Sequence, residues 1–182
     1  MVMIDFQTQR VWHFHPAYTT VEFAIRSLWF NVKGRFRDLE GVIVLDEEDI
    51  SRSSVTATIK AGSLDTGNKR RDAHLLSRDF FDVESFPDIE FRSTSVQRGR
   101  DRDSLDIEGT LTIKDKSVAI ALAVNEMDRS RAPSGEDFIY YSAATALDRR
   151  AFGINYGRVF IGRKLKVTIN VQASNSSHEE II

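Results

Sequence analysis

Along most of the chain apolar and polar residues take turns, one by one, in segments of strand length. In residues 19–27, Val21, Phe23 and Ile25 share one face while Glu22 and Arg26 occupy the other, which is the period of a half-buried strand. The run LWFNV at 28–32 breaks the alternation, and residues 34–45 resume it, opening near Phe36 and ending in GVIVL. Val55, Ala57, Ile59 and Ala61 alternate with Thr56, Thr58 and Lys60. Ile89 and Phe91 open another strand that runs to about Val96. In the second half, Leu105, Ile107, Leu111 and Ile113 alternate with Asp106, Glu108, Thr110 and Thr112. A short turn at 114–116 then leads to Val118, Ile120, Leu122 and Val124, the pattern of a hairpin. Residues 129–137 contain Pro133 and Gly135 and are expected to be a turn-rich loop; strands follow at 139–147 and at 165–171. Seven or eight such strands, without a helical repeat between them, predict an all-β antiparallel barrel or sandwich.

One stretch departs from this pattern. LDTGNKRRDAHLLSRDFFDVESFPDIEF, residues 64–91, opens with turn chemistry at Asp65, Thr66, Gly67 and Asn68. Residues 68–77 then carry apolar and charged positions three and four apart, which predicts a short helix. Phe80, Phe81, Phe86 and Phe91 follow, separated by acidic residues and Pro87. Connections between strands normally run over the surface and have no core to join. So many phenylalanines in one predict a lid that closes over an apolar interior. Ala57, Ala61, Ser93 and Ala143 fall at inward positions too small to fill a barrel, so an eight-stranded cylinder built from this chain has room for one small ligand. Large partners opposite them, such as Phe23 or Leu111, are the alternative use of that space.

The 182 residues suit a single domain at 1–174 with a polar tail at 175–182. With 25 basic and 27 acidic residues the net charge is −2, which gives no general affinity for nucleic acid. The lack of cysteine excludes disulfides, thiolate catalysis and sulfur-ligated metals. Asp5 and Arg10 interrupt the N-terminal segment where a secretory signal needs an apolar run, and no run approaches a membrane span. The expectation is a cytoplasmic protein without stable membrane insertion, or a periplasmic one if a leader has been removed.

Candidate chemistry is sparse. His13 and His15 share a strand face, but a third ligand is missing nearby, so no metal site is assigned. Asp72 and His74 could form an acid and base pair, yet no nucleophile motif accompanies them. No phosphate-cradling glycine loop is present, TGN at 66–68 being too short, and no cofactor is expected.

The run SLDTGNKRRDAHLLSRDFFDVESFPDIEFRSTSV resembles the central signature of the YceI-like family, lipocalin-like barrels that bind polyisoprenoids. VEFAIRSLWFNVKGRF at 21–36, GTLTIKDKSVAI at 109–120 and LDRRAFGI at 147–154 match in the same order. The resemblance implies an eight-stranded antiparallel lipocalin-like barrel, closed on one side by a short helix and Phe-rich lid, with an elongated cavity for an isoprenoid chain. It implies a non-catalytic protein that binds, stores or transports an amphiphilic lipid, and a homodimer, for which Tyr140 and Trp29 are the outward aromatics. A small enzyme using Asp72 and His74 is the alternative. The chain departs from the family pattern at Tyr18, Thr19, Ser27, Asp115, Ala119 and Ala151, positions that touch turns and the barrel rim.

Inward strand parity and the lid nominate Phe23, Ile25, Leu28, Phe30, Phe36, Leu75, Phe80, Phe81, Phe86, Phe91, Leu111, Ile113 and Phe152 as cavity lining. Asn68, Arg71, Asp72, His74 and Arg149 are the candidates to hold a polar or phosphorylated head, since arginine and helix-terminal amides suit oxyanions.

Overall fold

The computed structural model describes residues 9–175. Among them are eleven strand segments: β1 (Gln9–Phe14), β2 (Thr20–Ser27), β3 (Asn31–Phe36), β4 (Leu39–Asp46), β5 (Ser54–Lys60), β6 (Leu64–Asp65), β7 (Asp88–Arg98), β8 (Ser104–Ile113), β9 (Lys116–Arg131), β10 (Asp137–Asp148) and β11 (Ile161–Ser174). One α-helix, α1 (Lys69–Leu76), lies between β6 and β7. The segments are hydrogen-bonded in the order β1-β4-β5-β7-β8-β9-β10-β11, and β11 returns to β1 to close the sheet.

Eleven segments make eight staves because three staves are interrupted. The long β11 pairs with β1 through Ser174 and Ala173 and with β2 from Ile161 to Asn170, so β1 and β2 form one broken strand. Likewise β3 runs on into β4 across residues 37–38, and β5 into β6 across a 3-10 turn at Ala61–Ser63. The expected eight-stranded antiparallel barrel is the observed one.

Each interruption flips the parity of the side chains. Buried or half-buried positions are even in β1 (Trp12, Phe14) but odd in β2 (Val21, Phe23, Ile25), and even in β3 (Val32, Phe36) but odd in β4 (Leu39, Ile43, Leu45). Two extra residues at 37–38 leave both Phe36 and Leu39 inside, at 6% and 3% exposure. A continuous strand would have put one of them in water.

The hairpins depend on local chemistry. β8 and β9 meet at the pair Ile113 with Lys116, across a two-residue turn in which Lys114 takes φ 58°. β9 extends beyond the apolar pattern to Arg131, and the turn shrinks to 132–136, where a loop over 129–137 was expected. Backbone pairing needs no apolar side chains, and an ion pair between Arg131 and Asp137, at 2.5 Å, ties this projecting end.

α1 forms where the three-and-four spacing predicts it. Asn68 caps it, its Oδ1 accepting from the Arg71 backbone N–H at 3.0 Å, and Asp72 sits in the first turn. The chain then folds back on the helix, with the Phe81 and Val83 amides donating to the Leu75 and Leu76 carbonyls at 3.0 and 3.1 Å. This turn holds Phe80 buried against the barrel end and sets Phe81 edge-on to Phe36, ring centres 5.8 Å apart. The C-terminal tail beyond Asn175 and the N-terminal residues before Gln9 lie outside the described residues.

Candidate functional site

Two apolar clusters occupy the two ends of the barrel. One gathers Phe36, Leu39, Ala61, Leu64, Phe80, Phe152 and Ile154 beneath α1; the other gathers Trp12, Ile43, Leu45, Val96, Leu105, Ile139 and Tyr141 at the opposite end. A cavity of about 420 Å³ touches residues of both clusters. Its walls are almost wholly apolar.

Glycine keeps the interior open. A Cβ on Gly41 would lie 2.3 Å from the Phe14 ring, one on Gly34 2.4 Å from the Phe23 ring, and one on Gly109 2.5 Å from the Phe91 ring. All three phenylalanines line the cavity. Each ring occupies the space that a Cβ on the neighbouring strand would take, so bare backbone lets large aromatic surface sit close to the wall.

Of the nominated lining residues, Phe23, Ile25, Phe30, Phe36, Leu75, Phe80, Phe81, Phe91, Leu111, Ile113 and Phe152 are on the cavity wall. Two are corrected: Leu28 and Phe86 are not on it. Leu28 follows the last residue of β2, and in the turn it points outward at 53% exposure. Phe86 lies beyond the turn that buries Phe80 and is half-buried. Among the small residues, Ala57 and Ala143 are on the wall, whereas Ala61 is sealed in the core and Ser93 uses its Oγ to accept from the Val55 amide at 2.8 Å.

Strand parity missed several wall residues, including Phe14, Ile43, Leu45, Tyr141 and Tyr156. The first three lie on staves whose parity resets at an interruption. The Trp12 and Phe14 alternation in QRVWHF was the available signal for β1.

The nominated polar residues separate into three kinds. Arg71 and His74 reach the cavity, and Asn68 does not, because its side chain is the helix cap. Asp72 faces the preceding turn, where its Oδ1 accepts from the Thr66 amide at 3.0 Å and from the Thr66 hydroxyl. Arg71 bonds the same threonine, Nε to Oγ1 and Nη2 to the carbonyl, both at 2.8 Å. Two residues apart on a helix, Asp72 and His74 face different ways. His74 Nε2 instead pairs with Asp79 Oδ2 at 2.7 Å, so the structure does not assemble the acid and base dyad. The His74 ring also meets Phe80 and Tyr156 edge-on, at 5.2 and 4.8 Å, joining α1 to the loop before β11.

Arg149 borders the same end, yet it is 4% exposed and occupied. Its Nε donates to the Gly162 carbonyl at 2.8 Å, Nη1 to those of Ile154 and Tyr156 at 2.9 and 2.7 Å, and Nη2 to that of Ile161 at 3.0 Å. Burial, with Arg150 and Arg158 nearby, lowers its pKa, but a guanidinium remains a cation. It ties the loop at 153–160 to the start of β11 and places a fixed positive charge beside the cavity mouth. At the first strand break, the His15 and Tyr18 rings meet tilted, centres 4.7 Å apart, and no group of three metal-ligating side chains occurs among the described residues.

The chain matches the YceI-like domain over residues 12–173. Protein YceI of Salmonella arizonae is 31% identical over 153 residues, covering 84% of this chain and 79% of that protein. The Campylobacter jejuni YCEI protein shares 27% identity and a TM-score of 0.75, over 83% of this chain and 89% of that one. Burkholderia cenocepacia BcnA, at 18% identity, gives a TM-score of 0.79 over 87% and 98%. A polyisoprenoid binding domain from Saccharophagus degradans, at 12% identity, gives 0.67 over 91% and 98%. These last two share the fold.

Proposed function

The chain belongs to the YceI-like domain family, and from that premise we propose that it is a non-catalytic carrier of an amphiphilic isoprenoid lipid, such as a polyprenyl phosphate or an isoprenoid quinone. The observation that carries this reading is the apolar cavity reaching both ends of the barrel, with its arginines and histidine, Arg71, His74 and Arg149, at the α1 end. A volume of about 420 Å³ lies within the roughly 300–1,000 Å³ of small-ligand pockets. An apolar hollow stays dry when empty. A void on that scale is a feature to be filled.

A prenyl tail suits it because hydrocarbon needs no directional partners. Each buried methylene equivalent contributes about 0.8 kcal/mol before ordering costs. The fold shared with the Saccharophagus degradans polyisoprenoid binding domain supports the same class of ligand. At the mouth, the fixed charge of Arg149 and the edge of His74 favour a polar or anionic head over a second apolar end.

Native mass spectrometry of the purified chain and titration with a polyprenyl phosphate test the reading together. A saturable complex that raises the unfolding temperature is expected, since a ligand that binds only the folded state stabilises it. No uptake of polyprenyl phosphate or quinone by the delipidated chain would end it. Turnover of the bound lipid that disappears in His74→Ala would replace a carrier with an enzyme.

A further inference from the structure

The barrel leaves an apolar surface in water beside the cavity mouth. The turn after β2 presents Leu28, Trp29 and Phe30 at 53, 86 and 56% exposure, and the loop before β11 presents Val159 and Phe160 at 79 and 61%. The two segments are bonded into one surface. The Leu28 amide donates to the Phe160 carbonyl at 3.0 Å, and the Ser27 hydroxyl reaches the same oxygen at 3.4 Å. Phe30 also lines the cavity, so the exposed surface runs into the lumen. A contiguous apolar patch of this kind marks an interaction site, whereas single exposed hydrophobics need no explanation.

Charge identifies the occupant. Residues 26–33 and 149–164 contain no aspartate or glutamate, but they carry Arg26, Lys33, Arg150, Arg158, Arg163 and Lys164 besides the buried Arg149. In a chain of net charge −2 this is a marked segregation. The neighbouring acids are engaged: Asp148 by Arg163 at 2.6 Å, and Asp79, on the turn after α1, by His74 at 2.7 Å, whose ring packs on Tyr156. A second copy docking through a two-fold axis would set the basic collar against itself. An anionic lipid leaflet satisfies both features: aromatic side chains settle at the boundary between headgroups and acyl chains, and arginines meet the phosphates.

We propose that the Leu28–Phe30 turn and the Val159–Phe160 loop dock the cavity mouth onto an anionic bilayer surface, with Trp29 and Phe160 entering its interface. The purpose of this docking, exchange of the cargo lipid with the leaflet, rests on the carrier reading; the docking itself does not. Contact is peripheral, and no helix among the described residues is long and apolar enough to cross a membrane.

The two tryptophans make the test specific, because Trp12 is 2% exposed and Trp29 is 86% exposed. The full chain is mixed with vesicles of equal parts phosphatidylcholine and phosphatidylglycerol, with part of the phosphatidylcholine brominated on its acyl chains. Flotation with the vesicles and quenching of Trp29 emission are expected, both weakened by salt and by pure phosphatidylcholine. Trp29→Ser combined with Phe160→Ser should lower the partition coefficient by about tenfold or more. Arg26→Glu combined with Arg158→Glu should do the same through charge. These sites are exposed, and an unchanged unfolding midpoint separates lost docking from lost folding.

Absence of flotation, flotation unchanged in both double variants, or a dimer in solution that depends on Trp29 and Phe160 would each overturn the proposal. Vesicle binding by a chain that takes up no prenyl lipid would refute the carrier reading alone. Uptake of prenyl lipid from micelles by a chain that ignores vesicles would refute the docking alone.

Discussion

Gly41→Ala tests whether bare backbone keeps the barrel hollow. In an ordinary strand interior this change stabilises by about 0.5–1 kcal/mol, because alanine has less freedom to lose on folding. Here the new Cβ would sit 2.3, 2.5 and 2.8 Å from three atoms of the Phe14 ring, with no other atom among its nearest contacts. Ordinary contact begins near 3.4 Å, so the ring must recede by about 1 Å, and the side away from the wall is the cavity. Overpacking of this kind costs about 1–3 kcal/mol, which outweighs the gain from propensity. The expected net loss is about 1–2 kcal/mol, read as a lower urea midpoint in the delipidated chain. The displaced ring also removes lumen space worth one or two methylenes, about 0.8 kcal/mol each, so polyprenyl phosphate should bind roughly 4–15-fold more weakly. Phe14→Leu supplies the cycle: with the ring gone, Gly41→Ala should cost little, giving a coupling of at least about 0.5 kcal/mol. A stabilised Gly41→Ala chain, or two single effects that simply add, would refute the account of the open interior.

Arg149→Ala should destabilise the chain by about 3 kcal/mol, because four carbonyls, two in the loop and two at the start of β11, lose their donor, and Arg149→Lys should not restore it, since an ammonium cannot span that fan. Thermal melts of both variants read the difference. Asp46 is fully buried, pairs with the half-exposed Arg52 at 2.9 Å and accepts from the Glu48 and Asp49 amides at 3.1 and 2.9 Å; Asp46→Ala removes the charged acceptor of these bonds and should cost about 2–3 kcal/mol by urea unfolding. Hydrogen bonds from Arg37 and from the Gly67 amide hold the Asp65 carboxyl below the usual carboxylate range, and Arg131 does so for Asp137. A depressed folded pKa adds stability above the unfolded pKa, about 3.9, that is lost as pH falls through the folded value. The urea midpoint should therefore drop below about pH 4, and the drop should shrink in Asp65→Asn with Asp137→Asn.

Much of the barrel was legible in the chain. Alternation located most of the strands, and three-and-four spacing behind an asparagine located α1 within a residue at each end. Such signals are local: they depend on backbone geometry and on which side of one segment meets water. The cavity was legible only where a stave is unbroken. Phe23, Leu111 and Ile113 follow from parity, whereas Ile43 and Leu45 lie beyond the break at 37–38, and nothing local says that the chain pauses there for two residues.

Charged residues were the least legible. Arg149, Asp72 and His74 read alike as a polar mouth, yet one anchors a loop by four carbonyls, one closes a turn on Thr66 and one pairs with Asp79. The sequence by itself determined the class of fold, the lid and the apolar character of the interior, because burial periodicity is written residue by residue. Only the tertiary structure decided that the side chains leave the interior hollow, which rings lie on which glycines, and that Trp29 and Phe160 share one surface. Those facts depend on pairing between residues as far apart as Leu28 and Phe160, and no window along the chain contains both.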